Sequence, residues 1–279
     1  KRLQSHSKIF GEFPIVVMSP EDYKITTGGP SERRRFIDVL LSQVSISYLT
    51  NLQEYYRILK QRNKILQNMK EGVRVNDTAL IPWTENLINC GSKIVRDRHK
   101  FAKNFLTYFA PIYKEYSESD DEIDMSLDSI IAANEVGENI EEERFKSELE
   151  KYRLKEKRLG MSLIGPHRDD ISFTINGKDI RTYGSRGEHK SVLISLKIAE
   201  FNFLREAKEE APIFLLDDYY SELDDLREER VFLSLEELGQ VFLTSPKKQV
   251  LTEHSKYFDR FGDIRQFQIE GGEIELFRQ

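Results

Sequence analysis

Residues Ile213 to Asp224 read IFLLDDYYSELD. Four apolar residues, Ile213 to Leu216, predict a short buried strand. The strand runs into two adjacent carboxylates, Asp217 and Asp218, and then into Ser221-Glu222-Leu223-Asp224. An aspartate at the end of a buried strand is where P-loop nucleotide hydrolases hold Mg²⁺ against the β- and γ-phosphate oxygens. A second carboxylate beside it points into the same site and can orient an attacking water. Alone, the pattern is more often a plain strand ending in a polar turn, as short motifs generally are.

The context outward from this stretch shifts that weighting. Upstream, Tyr183 to Lys190 reads YGSRGEHK and predicts a Gly/Ser turn opening an amphipathic helix at Ser191. Val192, Leu196, Ala199 and Phe203 share one stripe of that helix. A helix N-terminus with a serine hydroxyl and glycines can cradle phosphate, although an ordinary capped helix is the better reading of the segment alone. Downstream, Gln240 to Thr244 (QVFLT) reads as another strand. Phe267, Ile269, Ile274 and Leu276 alternate around Gly271-Gly272, which predicts a terminal hairpin. Ile171 to Ile175 alternates with period two, and Asn176-Gly177 is a strong hairpin turn.

The first 159 residues have a different texture. Phe13 to Met18 (FPIVVM) reads as a buried strand that ends at Ser19-Pro20. After Gly28-Gly29-Pro30, Ser31 is positioned to cap a helix carrying Phe36, Ile37, Leu40 and Leu41. From Tyr48 to Met69 apolar residues repeat on one helical face, and Leu52, Leu59 and Leu66 have heptad spacing. Gly72 to Pro82 reads as a loop. A second long helix is expected from Trp83 to Tyr116, with Leu87, Ile94, Phe101, Phe105, Phe109 and Ile112. The acidic stretch from Ser117 to Glu143 predicts a mobile segment or a weak strand between helices. Arg144 to Leu159 returns to a charged helical pattern.

Composition bounds the rest. The chain has 279 residues, 39% apolar and 32% charged, which describes a protein with real cores and a charged surface. No apolar run approaches the about eighteen residues of a membrane span. One cysteine, Cys90, cannot form an internal disulfide, which fits a cytoplasmic setting. Five scattered histidines give no zinc spacing. The net charge of -6 argues against indiscriminate nucleic-acid binding but leaves room for a local basic face. No Lys or Arg lies between Glu115 and Glu143, while Arg33, Arg34, Arg35, Arg57, Lys60, Arg62 and Lys64 cluster earlier.

Taken together, YGSRGEHKSVLISLKIAEF and PIFLLDDYYSELDDLR resemble the RecF family, relatives of ATP-binding-cassette and SMC heads. IVVMSPEDYKITTGGPSERRRFIDVLLSQ, YRILKQRNKIL and RLGMSLIGPHRDDISFTINGKDI match the same family in the same order. The resemblance covers almost the whole chain, thinning over 71–81 and 117–143. It implies an α/β fold: the C-terminal part of an ABC/SMC-like P-loop ATPase head with an inserted α-helical domain. Residues 1–30 would be a strand-bearing part of the head, 31–159 the helical insert, and 160–279 the part bearing the signature, Walker B and D-loop motifs.

The resemblance also implies roles. Asp217 matches the Walker B magnesium aspartate, and Asp218 the acid proposed as general base or water-positioner. Ser185, Gly187 and Glu188 match the signature loop, which touches the γ-phosphate held by the opposite subunit. Ser221 and Asp224 match the D-loop at the dimer interface, and Thr244 the γ-phosphate sensor. The cofactors implied are ATP and Mg²⁺. The partners implied are single-stranded and gapped double-stranded DNA, a second copy of the chain joined by ATP, and other recombination-mediator proteins. Arg33, Arg34, Arg57 and Arg62 are candidate DNA contacts, as compatible with ordinary solvated helix charge.

Two departures stand out. Glu188 replaces the usual glutamine, which would place a carboxylate near a γ-phosphate and weaken ATP-driven dimerisation. The pattern G-x-x-x-x-G-K-[ST] occurs nowhere, and Gly177-Lys178 lacks the earlier glycine. The chain opens KRLQSHSKIF without Met, so the expectation is that it begins after the P-loop and binds ATP poorly by itself.

Two other functions compete with an ATP-dependent DNA-binding protein of slow turnover. One is a non-enzymatic module that holds repair partners through its helices. The other gathers Asp169, Asp170, Asp217 and Asp218 into a metal site for phosphodiester cleavage. Residues Gly165 to Asp170 (GPHRDD) read most simply as a rigid turn before the Ile171 strand.

Overall fold

In the computed structural model, residues 10–117, 119–131, 140–218, 225–246 and 263–278 are described. A three-stranded parallel sheet, ordered β1-β5-β6, positions the carboxylates. It consists of β1 (Ile15–Met18), β5 (Ile213–Asp217) and β6 (Val241–Thr244). Val16 lies opposite Phe214, Phe214 opposite Val241, and Asp217 opposite Thr244. The sheet therefore joins the start of the chain to its second half. Val16, Met18, Phe214 and Leu216 face inward and are buried.

The opposite face carries Ile15, Val17, Ile213, Leu215 and Phe242. Val17 is 43% exposed and Phe242 50% exposed, so this apolar face is partly open among the described residues. The expected burial of the first strand thus holds on one side only. Its ladder starts at Ile15, and Phe13 stands in solvent.

A long helix, α7 (Arg186–Lys208), packs on the inner face, with the rings of Phe201 and Phe214 6.3 Å apart. It begins at Arg186 rather than at Ser191, because Ser185 caps it. Its burial is not confined to one stripe. Leu193, Ile194, Phe201 and Leu204 are buried alongside Val192, Leu196, Ala199 and Phe203, since sheet and helices surround it.

The segment after β1 forms a one-turn 3-10 helix (Pro20–Asp22), a short helix α1 (Tyr23–Thr27) and then α2 (Pro30–Val44). Gly29, not Ser31, is the N-cap of α2. Pro30 occupies the first helical position, where its missing N–H costs nothing. Next come α3 (Ile46–Lys70), capped by Ser45 accepting from Tyr48 N–H, and α4 (Ile81–Ser117). The expected loop between them is largely ordered, with a 3-10 turn at Asp77–Leu80. Leu59 and Leu66 are buried on the seam that the heptad spacing predicts.

Gly91 explains how closely α4 packs. A Cβ there would lie 2.5 Å from the Phe145 ring and 3.0 Å from Tyr55. Phe145 belongs to α5 (Ile140–Leu159), which crosses α3 and α4.

The acidic stretch contains a regular strand, β2 (Ile123–Asp128), paired antiparallel with β3 (Asp170–Ile175). Charge misleads there because only alternate residues, Ile123 and Met125, face the core. β3 turns through Asn176 and Gly177, both at positive φ, into β4 (Lys178–Asp179). A single-turn α6 (Ile180–Tyr183) leads to Ser185. Helix α8 (Asp225–Leu235) precedes β6. The expected terminal hairpin is β7 (Gln266–Glu270) with β8 (Glu273–Arg278). Among the described residues, no helix is long and apolar enough to cross a membrane.

Candidate functional site

Parallel strands gather their carboxyl ends on one edge, and ligands of such sheets bind there. Here that edge carries Met18 and Ser19, Asp217 and Asp218, and Thr244. Asp217 and Thr244 are exposed. Thr244 Oγ1 donates to Asp217 Oδ1 at 2.5 Å, and the Asp218 N–H donates to the Thr244 carbonyl at 3.4 Å. Oδ2 of Asp217 has no partner among the described residues. The strand places Asp217 outward because burial alternates: Phe214 and Leu216 point in, and Asp217 ends the ladder in solvent.

Asp218 adopts φ +44, the left-handed region that aspartate tolerates better than most side chains. This turns the chain off the sheet edge immediately after Asp217. An exposed carboxylate backed by a hydroxyl at a strand terminus suits a hydrated divalent cation carrying phosphates. Ser221 and Asp224 lie outside the described residues.

The second predicted cluster stands at the start of α7. Ser185 Oγ accepts the Glu188 N–H at 3.2 Å, and Glu188 Oε2 accepts the Ser185 N–H at 2.7 Å. This is a complete capping box. It gives Glu188 a local role: its carboxylate is folded back onto the backbone of the turn it occupies. Gly187 lies in the same first turn, and Ser185 and Arg186 are exposed.

Within one chain the two clusters are well separated. Lys197 of α7 contacts Asp22, close to the carboxyl end of β1. From Lys197 back to Ser185 the helix extends about 18 Å at 1.5 Å per residue.

The basic candidates divide sharply. Arg33 is 4% exposed and holds Asp170 through two 2.8 Å hydrogen bonds. Arg62 is 3% exposed, bonded to Glu156 and Ser162 at 2.7 Å each and to Thr84 at 3.1 Å. These two are corrected: they are buried ion-pair residues, closed to a DNA backbone. Sequence could not separate them from surface arginines, because their carboxylate partners lie 137 and 94 positions away. Arg57 is exposed and pairs with Glu54 on its own helix. Arg34 donates to the Asp169 carbonyl at 2.5 Å and, with Arg35, Val39, Leu52 and Tyr56, borders an open groove of about 370 Å³.

Residues Gly165 to Asp170 form the rigid turn expected. Arg98, fully buried, grips Asp38 at 2.8 and 3.0 Å, the Pro166 carbonyl at 2.7 Å and Asp169 at 3.3 Å. Tyr55 Oη lies 2.6 Å from His167 Nδ1, and His167 Nε2 lies 3.2 Å from the Ser162 carbonyl. Arg98, which no motif flagged, is thus the hub joining α2, α4 and this turn. Its only sequence signal is a charge on the apolar stripe of α4. Asp169 and Asp170 are each committed to an arginine, and Asp170 belongs to a different sheet from Asp217. Among the described residues no group of three or more carboxylates, histidines or cysteines is placed to hold a metal, so the four-aspartate site is not assembled.

No family model matches the chain. Among individual proteins, it is 38% identical over 255 residues to the DNA replication and repair protein RecF of Chloroherpeton thalassium, covering 90% of this chain and 69% of that one. It is 34% identical over 270 residues to the protein of the same name from Lachnoclostridium phytofermentans, covering 97% and 72%. Among solved structures, the recombination mediator protein RecF-ATPrS of the RecFOR pathway superposes with a TM-score of 0.87 at 30% identity. It covers 99% of this chain and 71% of that one. The corresponding RecF-ATP structure gives 0.85 at 29% identity.

Proposed function

This chain belongs to the RecF family of DNA replication and repair proteins, and from that premise we propose that it is the Walker B, signature and D-loop part of an ATPase head that mediates recombination and repair. The observation that carries the proposal is the Asp217–Thr244 pair at the carboxyl edge of β5 and β6. Two residues 27 positions apart meet where a nucleotide phosphate would sit.

In this proposal Asp217 holds Mg²⁺ through its solvent-facing carboxylate. Thr244 fixes the rotamer of Asp217 and reports on the γ-phosphate. Asp218, at the turn just beyond, orients a water for attack. Bound Mg²⁺ supplies neutralisation of phosphate charge. Ser185, Gly187 and Glu188 serve the site of a second copy, with Ser221 and Asp224 at the same interface. The span of α7 between Ser185 and the sheet edge supports this division of labour between copies. Because Glu188 is held in the capping box, its charge is directed at its own helix start.

ATP-joined heads then hold single-stranded or gapped DNA together with other recombination mediators, and slow hydrolysis releases it. Of the candidate DNA contacts, Arg34 and Arg57 remain, the first half-buried and the second exposed. Assigning residues 1–30 and 160–279 to the head and 31–159 to a helical insert is part of the same proposal, and the β1–β5 pairing supports it. The structural likeness to RecF-ATP favours this reading over a purely non-enzymatic module.

The test is salt-dependent binding to gapped DNA by the intact protein, with and without ATP. Ser185→Arg is expected to abolish the ATP-dependent component and leave the salt-sensitive background. Unchanged ATP-dependent binding in that variant rejects the assignment of the signature loop.

A further inference from the structure

Lys197 lies in the middle of α7 and is 4% exposed. Its ammonium is 3.1 Å from Glu200 Oε2, 3.4 Å from Asp22 Oδ1 and 5.4 Å from the centroid of the Phe36 ring. Burial alone would lower the pKa of this lysine. Glu200 and Asp22 reverse that and hold its pKa above the ordinary lysine value. The cation is therefore kept charged by one carboxylate on its own helix and one from a separate element.

Asp22 is a two-sided link. Oδ1 faces Lys197, while Oδ2 accepts the Ser19 N–H at 2.8 Å and the Ser19 hydroxyl at 3.3 Å. Ser19 follows Met18, and Met18 pairs with Leu216, the residue before Asp217. A continuous chain of bonds thus runs from the Walker B strand through Ser19 and Asp22 to Lys197. From there α7 is an unbroken helix back to Ser185.

Stability does not require such a link. A buried ion pair is frequently no better than well-packed apolar residues of the same size, whereas it does fix one geometry. Apolar packing such as Phe201 on Phe214 already holds α7 to the sheet. What the ions add is a directional tie between the sheet edge and the helix that carries the signature loop.

We propose that Lys197 is a positioning residue that locks the signature helix to the carboxyl edge of the sheet, so that Ser185 and Asp217 move as one body when two copies close on nucleotide. The inference rests on the assignment of Ser185 to the site of a second copy. It adds that the placement of this loop is set from the sheet edge through Asp22.

The experiment compares three variants of the intact protein, each measured for nucleotide affinity with a fluorescent ATP analogue, for ATP-dependent self-association, and for thermal melting. Asp22→Asn turns its amide donor toward the ammonium if the Ser19 N–H bond is kept, and so cuts the tie. Glu200→Gln keeps an acceptor on Lys197 and spares Asp22. The triple variant Asp22→Asn, Lys197→Met, Glu200→Gln removes every charge and leaves none orphaned, so it remains informative if the single variants unfold. The expected result is near-normal nucleotide affinity in all three. ATP-dependent association is weakened at least about fivefold in the Asp22→Asn and triple variants, the low end of measured coupling between sites, but not in Glu200→Gln. Association that is unchanged in the triple variant, or that declines in all three in step with melting temperature, overturns the proposal. Ser185→Arg run alongside separates the two ideas: if it leaves association intact, the underlying assignment fails; if it abolishes association while the triple variant does not, only the role of Lys197 fails.

Discussion

Thr244 donates its hydroxyl hydrogen to Asp217 across the β5–β6 pair, at 2.5 Å, where both strands end in solvent. The hydroxyl holds one carboxylate oxygen and so fixes the direction of the other. Thr244→Val keeps the β-branched shape and removes only this bond. In the intact protein, ATP hydrolysis should fall and require more Mg²⁺. Melting should move little, since exposed positions usually contribute within about 0.5 kcal/mol. Retained turnover at unchanged Mg²⁺ dependence would falsify the clamp.

Gly165 sits at φ +135, and a Cβ there would meet Tyr55 Oη at 2.3 Å and His167 Nδ1 at 3.1 Å. Gly165→Ala is expected to destabilise by about 1–3 kcal/mol, the usual cost of a side chain in a sparsely allowed backbone region. Urea unfolding measures it, and a variant as stable as the parent would contradict the steric argument.

The arginines give a contrast. Arg62→Ala leaves Glu156 buried without its cation and should cost about 3–5 kcal/mol of stability. Arg57→Ala removes an exposed pair on one helix and should leave stability nearly unchanged. If Arg57 touches DNA, its loss lowers the salt slope of binding; denaturation curves and salt titrations of both variants read these effects separately.

His167 and Asp169 make opposite contributions with pH. Burial pulls the His167 pKa down to about 4, and its geometry is that of a neutral ring accepting from Tyr55 at Nδ1 and donating to Ser162 from Nε2. A depressed histidine contributes stability that is present above the free value near 6.5 and lost as pH falls toward 4. Asp169 is pushed up to about 6 by burial, against the pull of Arg98. Its contribution is present at low pH and lost as pH rises through about 6. The two slopes oppose each other, so the parent should show a shallow profile over this interval. In His167→Gln, stability should instead fall as pH rises from 4 to 6. Chemical denaturation at several pH values tests the sign, and a profile that still rises with pH would refute it.

The elements written in local pattern were legible in advance. The apolar run Ile213–Leu216, the turn Asn176-Gly177 and the alternation around Gly271-Gly272 all form as their spacing predicts. β2 was less legible, because its outward-facing aspartates mask the inward Ile123 and Met125. The start of α7 was misplaced at Ser191, since an apolar stripe marks where a helix is buried rather than where its backbone is capped. Among the site residues, Asp217 and Thr244 are brought together and Ser185 is set apart, a distinction that motif order does not contain.

By itself the sequence determined the family, the strand that ends in Asp217, and the Gly/Ser turn that precedes α7, because each is specified by neighbours along the chain. Only the tertiary structure decided which charges are available. Arg33, Arg62, Arg98 and Lys197 look alike in sequence to solvated cations, yet each is enclosed by carboxylates or carbonyls from distant elements. Burying an ion is tolerable only with a partner at hydrogen-bonding distance, and that partner is supplied by packing, not by adjacency.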